Sequence, residues 1–341
     1  MNSKEPSILM PHIIEFIDYK HHCGYKYDTG INVLYNFDSY YKNLNIKTIE
    51  FNRSIVEPFL NLKENERIGN QISKATILRQ FGKFLFLNGY IKELYIIPPI
   101  SNKGEKEYIP YIFSKDQLKN ISYYFDNYNE IVKMPKGSFK QNINMLNSVK
   151  TIIKILMFTG MRINEVCNLK INNVDLENNI FTIDEAKNDN QRIVPFSNTL
   201  KNILIDYING STLYSRKEND YLFFNINDDN FINKVSSRTV YFYFRKALKY
   251  LEIPHKKGIG PRIHDFRHTY ATMTLTQLSK NEKDINSALA YLSTYLGHKS
   301  FNETQKYIWL TPELFDGTLN KMCEYSSVIK SIFEDGDVYE E

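Results

Sequence analysis

Apolar residues recur every three or four positions through most of the chain, the spacing of helices that bury one face. Ile8 to Lys20 carries Ile13, Ile14 and Ile17 on one side. Asp28-Thr29 offers capping chemistry for a second helix running through Ile31, Leu34, Tyr35 and Phe37 to Tyr41. Arg53 to Leu62 predicts a short third helix. Asn70 to Asn88 predicts a fourth, with Ile77, Phe81, Phe84 and Leu85 at helical spacing and Gly89 as its stop. Such a set is expected to pack as a small helical bundle.

The pattern then breaks at Ile97-Pro98-Pro99-Ile100-Ser101-Asn102-Lys103-Gly104-Glu105-Lys106. A proline pair disfavours helix on both sides, and the polar run after it has nothing to bury. The expected organisation is a helical domain over 1–96, a linker over 97–110, a second domain over 111–333 and an acidic tail over 334–341.

Ser114-Lys115-Asp116-Gln117 opens the second domain with good N-cap chemistry. Lys133–Lys140 reads as an exposed loop, and Asn147 to Thr159 as a strongly apolar helix ending at Gly160. The period then changes from helical to alternating. Ile180-Phe181-Thr182-Ile183 and Arg192-Ile193-Val194-Pro195-Phe196 read as two strands around the turn Asn188-Asp189-Asn190. Helices are expected again over Ser236–Leu251, Asp265–Leu278, Ile285–Leu296, Phe301–Leu310 and Pro312–Ile332. The fold class is mainly α with a small β-sheet.

Composition narrows the function classes only modestly. With 341 residues and a hydrophobic share of 42%, two buried cores are within reach. The 43 Lys and Arg exceed the 39 Asp and Glu by too little to argue for a polyanionic partner from total charge alone. Five acids, Glu334, Asp335, Asp337, Glu340 and Glu341, sit in the tail, so the body is more basic than the total. Three cysteines, Cys23, Cys167 and Cys323, lie far apart without zinc spacing, which fits a reduced compartment. Charged residues interrupt every apolar run well short of membrane-spanning length, so a cytoplasmic protein is expected.

Five short segments carry the chemistry. They are Thr159-Gly160-Met161-Arg162-Ile163-Asn164-Glu165, then Lys187 beside the hairpin turn, His264-Asp265-Phe266-Arg267-His268, Leu296-Gly297-His298-Lys299-Ser300, and Tyr307. Cutting a phosphodiester without a metal places extra negative charge on non-bridging oxygens, so fixed cationic donors must point there. Arginine suits this, because its planar fork binds phosphate through two bonds and stays charged. Arg162 follows a glycine turn at a helix start, and Glu165, one turn along, could orient its guanidinium. In His264-x-x-Arg267 an imidazole and a second guanidinium share one helical face. A tyrosine hydroxyl, with a free pKa of about 10, needs such cationic neighbours to act as a nucleophile.

Each segment alone has a plainer explanation. A lone glycine-arginine turn is a common surface feature, and His298 after Gly297 could simply cap a helix. There are 25 tyrosines, so Tyr307 stands out only by position. In this order and spacing, however, the segments resemble the tyrosine recombinase, or phage integrase, family. TGMRINEV, HDFRHTYAT, LGHKS and ETQKY look like its motifs, and the resemblance covers roughly Ser114–Leu310, extending more loosely over the N-terminal bundle.

The resemblance implies a SAM-like core-binding domain, a catalytic domain and a C-shaped clamp on double-stranded DNA. It implies a catalytic set of Arg162, Lys187, His264, Arg267, His298 and Tyr307, supported by Glu165 and His268, with no cofactor. Arg162 and Arg267 would clamp the scissile phosphate and Tyr307 attack it, leaving a 3′-phosphotyrosyl enzyme and a 5′-hydroxyl. Lys187 would be the general acid, though Arg192 lies across the same hairpin. His264 would assist proton transfer, His298 hydrogen-bond a non-bridging oxygen, and His268 support the helix.

Phosphate contacts are expected from Lys74, Arg79, Arg238, Arg245, Lys256, Lys257 and Arg262. The apolar stripe of Pro312–Phe333 is expected to dock either on a neighbouring protomer, building a tetramer on DNA, or on its own domain. Two alternatives remain on sequence grounds: a type IB topoisomerase-like relaxase and a catalytically silent DNA-binding protein. A metal hydrolase is disfavoured because His21-His22-Cys23 lacks a partner pair. An NTPase is disfavoured because Lys299-Ser300 lacks the glycine-rich loop.

Overall fold

The computed structural model describes residues 6–64, 66–101, 109–132, 139–185, 190–210, 217–226, 232–254, 260–280, 285–298 and 300–309. The chain divides into two compact units, Met1–Tyr108 and Ile109–Glu341.

The first unit is built from α1 (Met10–His22), α2 (Asp28–Asn43), α3 (Arg53–Leu60) and α4 (Ile68–Leu87). Its core joins Ile13, Phe16 and Ile17 of α1 to Leu34 and Phe37 of α2 and Leu78, Phe81 and Leu85 of α4. Phe16, Phe37, Phe51 and Phe81 meet in tilted and edge-on pairs, the geometries aromatic rings favour. The start of α2 departs from expectation. Its cap is Tyr27 in the left-handed region at φ 54°, with no side-chain cap, and Asp28 is already helical, complementing the helix dipole from the first turn.

The expected linker does not begin free. Ile97 is buried in the core of the first unit and Ile100 packs against it. Arg79 of α4 donates to the carbonyls of Ile97 and Pro98, at 3.0 and 2.6 Å. The proline pair therefore lies along α4, and the backbone oxygens entering it are satisfied by one guanidinium.

In the second unit, α5 (Lys115–Asp126) starts at the N-cap read from its sequence, and there Ser114 and Gln117 form a capping box, each bonding the other's backbone. A short α6 (Tyr128–Val132) follows, and α7 (Phe139–Thr159) begins earlier than its apolar run, so Phe139 and Lys140 are helical where a loop was expected. Val149, Ile152, Ile153, Ile155 and Leu156 of α7 are all buried, because α5, α8, α9, α10, α11 and β4 surround it. It is the central post of the unit.

After α8 (Ile163–Asn168) and a single 3-10 turn come β1 (Val174–Asp175), β2 (Ile180–Glu185) and β3 (Asn190–Pro195), an antiparallel sheet in the order β1-β2-β3. Ile183 pairs with Arg192 and Phe181 with Val194. Phe181 and Val194 are buried while Ile193 is exposed, the alternation of a half-covered sheet.

Helix α9 (Asn198–Gly210) and the hairpin β4 (Phe224–Ile226) and β5 (Ile232–Lys234) add to the expected elements. Helix α10 (Ser237–Tyr250) is capped by Ser236. Then come α11 (Asp265–Lys280), α12 (Ile285–Leu296) and α13 (Phe301–Trp309). These three share a small apolar cluster: Ala271 and Leu275 of α11, Ala288, Leu289, Leu292 and Leu296 of α12, and Tyr307 of α13. Residues 133–138 of the expected loop, the polar stretch 281–284 and the expected final helix over 312–332 lie outside the described residues. Among the described residues, no helix is long and apolar enough to cross a membrane.

Candidate active site

Two glycine turns bring distant parts of the second unit together. At the end of α7, Thr159 folds back so that its hydroxyl donates to the Ile155 carbonyl at 2.7 Å, and Gly160 takes φ +62°. A side chain at Gly160 would meet the Tyr270 ring of α11 at 2.7 Å, so glycine is required both by conformation and by space. The turn ending α12 places Gly297 at φ +67°. The freed carbonyls of these turns become anchors for guanidinium groups.

Arg267 on α11 is only 2% exposed. It donates through Nη1 to the Gly160 carbonyl at 3.1 Å and through Nη2 to the Leu296 carbonyl at 2.6 Å. Burial, and then the charge of Arg162, pull its pKa down to about 10, still well above neutrality. Arg162 sits at the N-cap of α8 and donates through Nη2 to the Gly297 carbonyl at 3.0 Å. Glu165 receives both the Arg162 backbone N–H and its Nη1, each at 2.9 Å. The same carboxylate accepts Nη2 of Arg192 from β3 at 2.6 Å. Burial works to raise the pKa of Glu165, but the two arginines outweigh it and hold the carboxyl below its ordinary range.

Tyr307 on α13 is 2% exposed and its hydroxyl lies beside the Arg267 guanidinium, whose positive charge acts on it. Burial pushes its pKa up, and the positive charges of Arg267 and Arg162 offset this only in part. Its ring lies between two imidazoles, 5.7 Å from His268 and stacked 6.0 Å from His298. His268 meets His264 edge-on at 4.8 Å. His298 Nδ1 is hydrogen-bonded to the buried Thr304 hydroxyl at 2.7 Å, which fixes its ring against α13.

Desolvation, followed by neighbouring positive charge, pushes all three histidines down: His264 and His298 to about 4 and His268 to about 3. All are neutral near pH 7. His268 Nδ1 is buried without a hydrogen-bond partner among the described residues.

Arg162, Glu165, His264, Arg267, His268, His298 and Tyr307 thus come together from three helices and two turns. Lys187, Lys256 and Lys257 lie outside the described residues. Among the expected phosphate contacts, Lys74 is held in an ion pair with Glu66 at 2.7 Å, and Arg79 is engaged with its two carbonyls. Arg238 and Arg262 are exposed, and Arg245 lies over the Tyr241 ring. Arg192 and Thr304 join the site without having been singled out as functional, because their roles depend on tertiary approach. Among the described residues no cluster of His, Cys, Asp and Glu could hold a metal ion.

The arrangement can hold an anion between two fixed guanidiniums, beside a tyrosine oxygen and neutral imidazoles. Residues 123–313 match the phage integrase family. The chain belongs to this family.

Its relatives include the tyrosine recombinase XerA of Saccharolobus solfataricus, 33% identical over 179 residues, covering 52% of each chain. XerH of Campylobacter jejuni is 31% identical over 215 residues, 60% of this chain and 49% of the relative. The chain thus spans about half the length of these integrase-family relatives. Among solved structures, XerH bound to palindromic difH substrate in a post-cleavage complex aligns with a TM-score of 0.58 at 21% identity, over 85% of this chain and 79% of that one. The Tn1549 transposon integrase in complex with transposon right end DNA aligns with a TM-score of 0.58 at 12% identity, over 87% and 94%. These likenesses show the fold.

Proposed function

We propose that this integrase-family protein is a site-specific recombinase that cuts and rejoins double-stranded DNA through a 3′-phosphotyrosyl bond on Tyr307. The observation that carries the reading is the Tyr307 hydroxyl set beside the Arg267 guanidinium, whose Nη1 and Nη2 are fixed to main-chain carbonyls. A phosphate resting on Arg267 and Arg162 would lie against that oxygen, and the clamp would require little reorganisation as charge builds.

The Tyr307 oxygen forms a bond to phosphorus and the bond to the 5′ oxygen breaks. Neutral His264 accepts the phenolic proton, and Lys187 gives one to the departing 5′ oxygen. His298, held by Thr304, offers its other ring nitrogen to a non-bridging oxygen. The reverse reaction with a 5′-hydroxyl from a partner strand reseals the backbone. The phosphodiester energy is kept in the tyrosyl bond, so no ATP is needed, and the two guanidiniums supply the positive charge a metal ion would otherwise bring. The relatives' names and the solved complexes support a DNA-acting role, and the transposon integrase supports a mobile-element setting. A tetramer on paired sites, joined through 312–333, completes the reading.

The test is a nicked suicide duplex made from DNA flanking the protein's own gene. The wild-type protein should form a detergent-stable adduct in the presence of chelator, and Tyr307→Phe should bind the duplex without forming it. An adduct on Tyr307→Phe overturns the assignment. Relaxation of supercoiled DNA lacking any recognition site, by a monomer, would favour the topoisomerase-like alternative.

A further inference from the structure

Arg192 is a buried cation on a strand, 27 residues from the carboxylate it grips. Its side chain is 12% exposed and that of Glu165 is 11% exposed, so the pair is shielded from water. The same arginine fills the space beside Gly297. A Cβ added there would come within 3.0 Å of Arg192 Cδ, Nε and Nη1. Gly297 in turn receives Arg162 through its carbonyl, and its neighbour Leu296 receives Arg267. On the other side of the contact, the Tyr295 hydroxyl donates to the Pro195 carbonyl at 3.3 Å, a second tie between α12 and β3.

We infer that Arg192 is a positioning residue that locks three separately folded pieces into one active geometry: the β2–β3 hairpin, the N-terminus of α8 carrying Arg162, and the turn carrying His298. The inference rests on the recombinase reading for its chemical consequence, but not for its structural one. A surface arginine would be free to move in water; this one spans a largely buried carboxylate and a left-handed glycine against which it packs closely. Without it, the desolvated Glu165 would lose the partner that anchors it to β3 and favours its charged form, and its placement against Arg162 would loosen.

Among the described residues, four charged or titratable groups act on Glu165: Arg162 from α8, Arg192 from β3, and Arg267 and His264 from the α11 side. Removing Arg192 deletes the partner that lowers the carboxyl pKa most and leaves only Arg162 to oppose burial, which raises it. The carboxyl should then take up a proton at a higher pH than in the wild type. Loss of the Glu165 charge would release the Arg162 fork, so the variant's cleavage should acquire an acid limb absent from the wild type.

The test compares Arg192→Met and Arg192→Lys with the wild-type protein. At saturating suicide duplex, Arg192→Met should cleave roughly ten- to a hundredfold more slowly, the scale of a misplaced catalytic group. Its affinity for the duplex should stay within about threefold, since bulk phosphate contacts elsewhere set binding. Its rate should fall further as pH drops from 8 to 6, while Arg192→Lys, which keeps the charge, should lack that acid limb. Independently of any reaction, amide exchange at Gly297 and His298 should quicken in Arg192→Met.

Unchanged cleavage and unchanged exchange in Arg192→Met would overturn the inference. So would a slower rate with the same pH profile as the wild type and no local change in exchange. A wild-type protein that forms no Tyr307-dependent adduct would defeat the recombinase reading instead, and the exchange measurement would still decide whether Arg192 locks the turn.

Discussion

Arg267 faces the Tyr307 hydroxyl from a position in which its Nη1 and Nη2 hold the carbonyls of Gly160 and Leu296. The guanidinium is therefore both a structural clasp and, among the described residues, the positive charge that most favours the ionised phenol. A lysine cannot reproduce this, because a single ammonium cannot span two carbonyls and a hydroxyl in one plane. Arg267→Lys should lower stability by on the order of 2–3 kcal/mol, the value of lost charged hydrogen bonds. Covalent adduct should become undetectable. Denaturant melts and adduct gels check the two effects separately; a stable, fully active lysine variant contradicts the geometry.

The proton on Tyr307 must go to a group that is neutral at working pH. His264, exposed at its surface but pushed down to about 4 by partial desolvation and the charges of Arg267 and Arg162, meets that condition throughout the neutral range. Single-turnover cleavage by the wild-type protein should be flat from pH 6 to pH 8. A limb centred near 6.5, where an ordinary imidazole titrates, would show that His264 is not desolvated as described.

Half-buried neutral histidines also set the acid sensitivity of the fold. His268 and His298 have folded-state values of about 3 and 4, below the unfolded value of about 6.5. The unfolded chain thus binds protons first as pH falls. This contribution is complete above about pH 6.5, and stability declines progressively from there toward pH 4. The melting temperature should drop over that window, and His268→Gln should make the drop shallower. An identical slope in the variant would place the acid sensitivity elsewhere.

Gly160 predicts a sharper effect than most loop glycines. Gly160→Ala forces a left-handed alanine and pushes its methyl group into the Tyr270 ring. A loss of about 1–3 kcal/mol is expected from backbone strain alone. Because the carbonyl of this residue holds Arg267, cleavage should fall with stability. Gly89→Ala, left-handed but in open space, should cost stability without touching cleavage.

The basic residues separate into two kinds. Arg79→Ala should destabilise the first unit, since it frees the carbonyls of Ile97 and Pro98. Arg238→Ala should leave the melting temperature unchanged, weaken DNA binding and reduce the salt slope by about one. A melting shift in Arg238→Ala, or none in Arg79→Ala, would reverse these roles.

Much of the site was legible because its parts are local. Thr159-Gly160-x-Arg162 and His264-x-x-Arg267 set helix ends and helix faces by spacing alone, and Ser114 caps its helix as the sequence suggests. What stayed hidden depends on distant approach. Nothing within Arg192-Ile193-Val194 shows that the arginine meets Glu165, or that Thr304 bonds His298. Arg79 and Lys74 look like solvent-facing cations until their carbonyl and carboxylate partners are seen. Helix α9 is a different case. Leu200, Ile203, Leu204 and Tyr207 have helical spacing, overshadowed by the strand-like runs that precede them.

The central claim is a bond between one tyrosine oxygen and a DNA 3′ phosphate. Wild-type protein trapped on a suicide duplex, digested with nuclease and protease, should yield a phosphonucleotide-bearing peptide whose modification maps to Tyr307. The released strand should carry a 5′-hydroxyl that accepts label without prior dephosphorylation. A modification on another residue, or a released strand ending in a 5′ phosphate, would contradict the account.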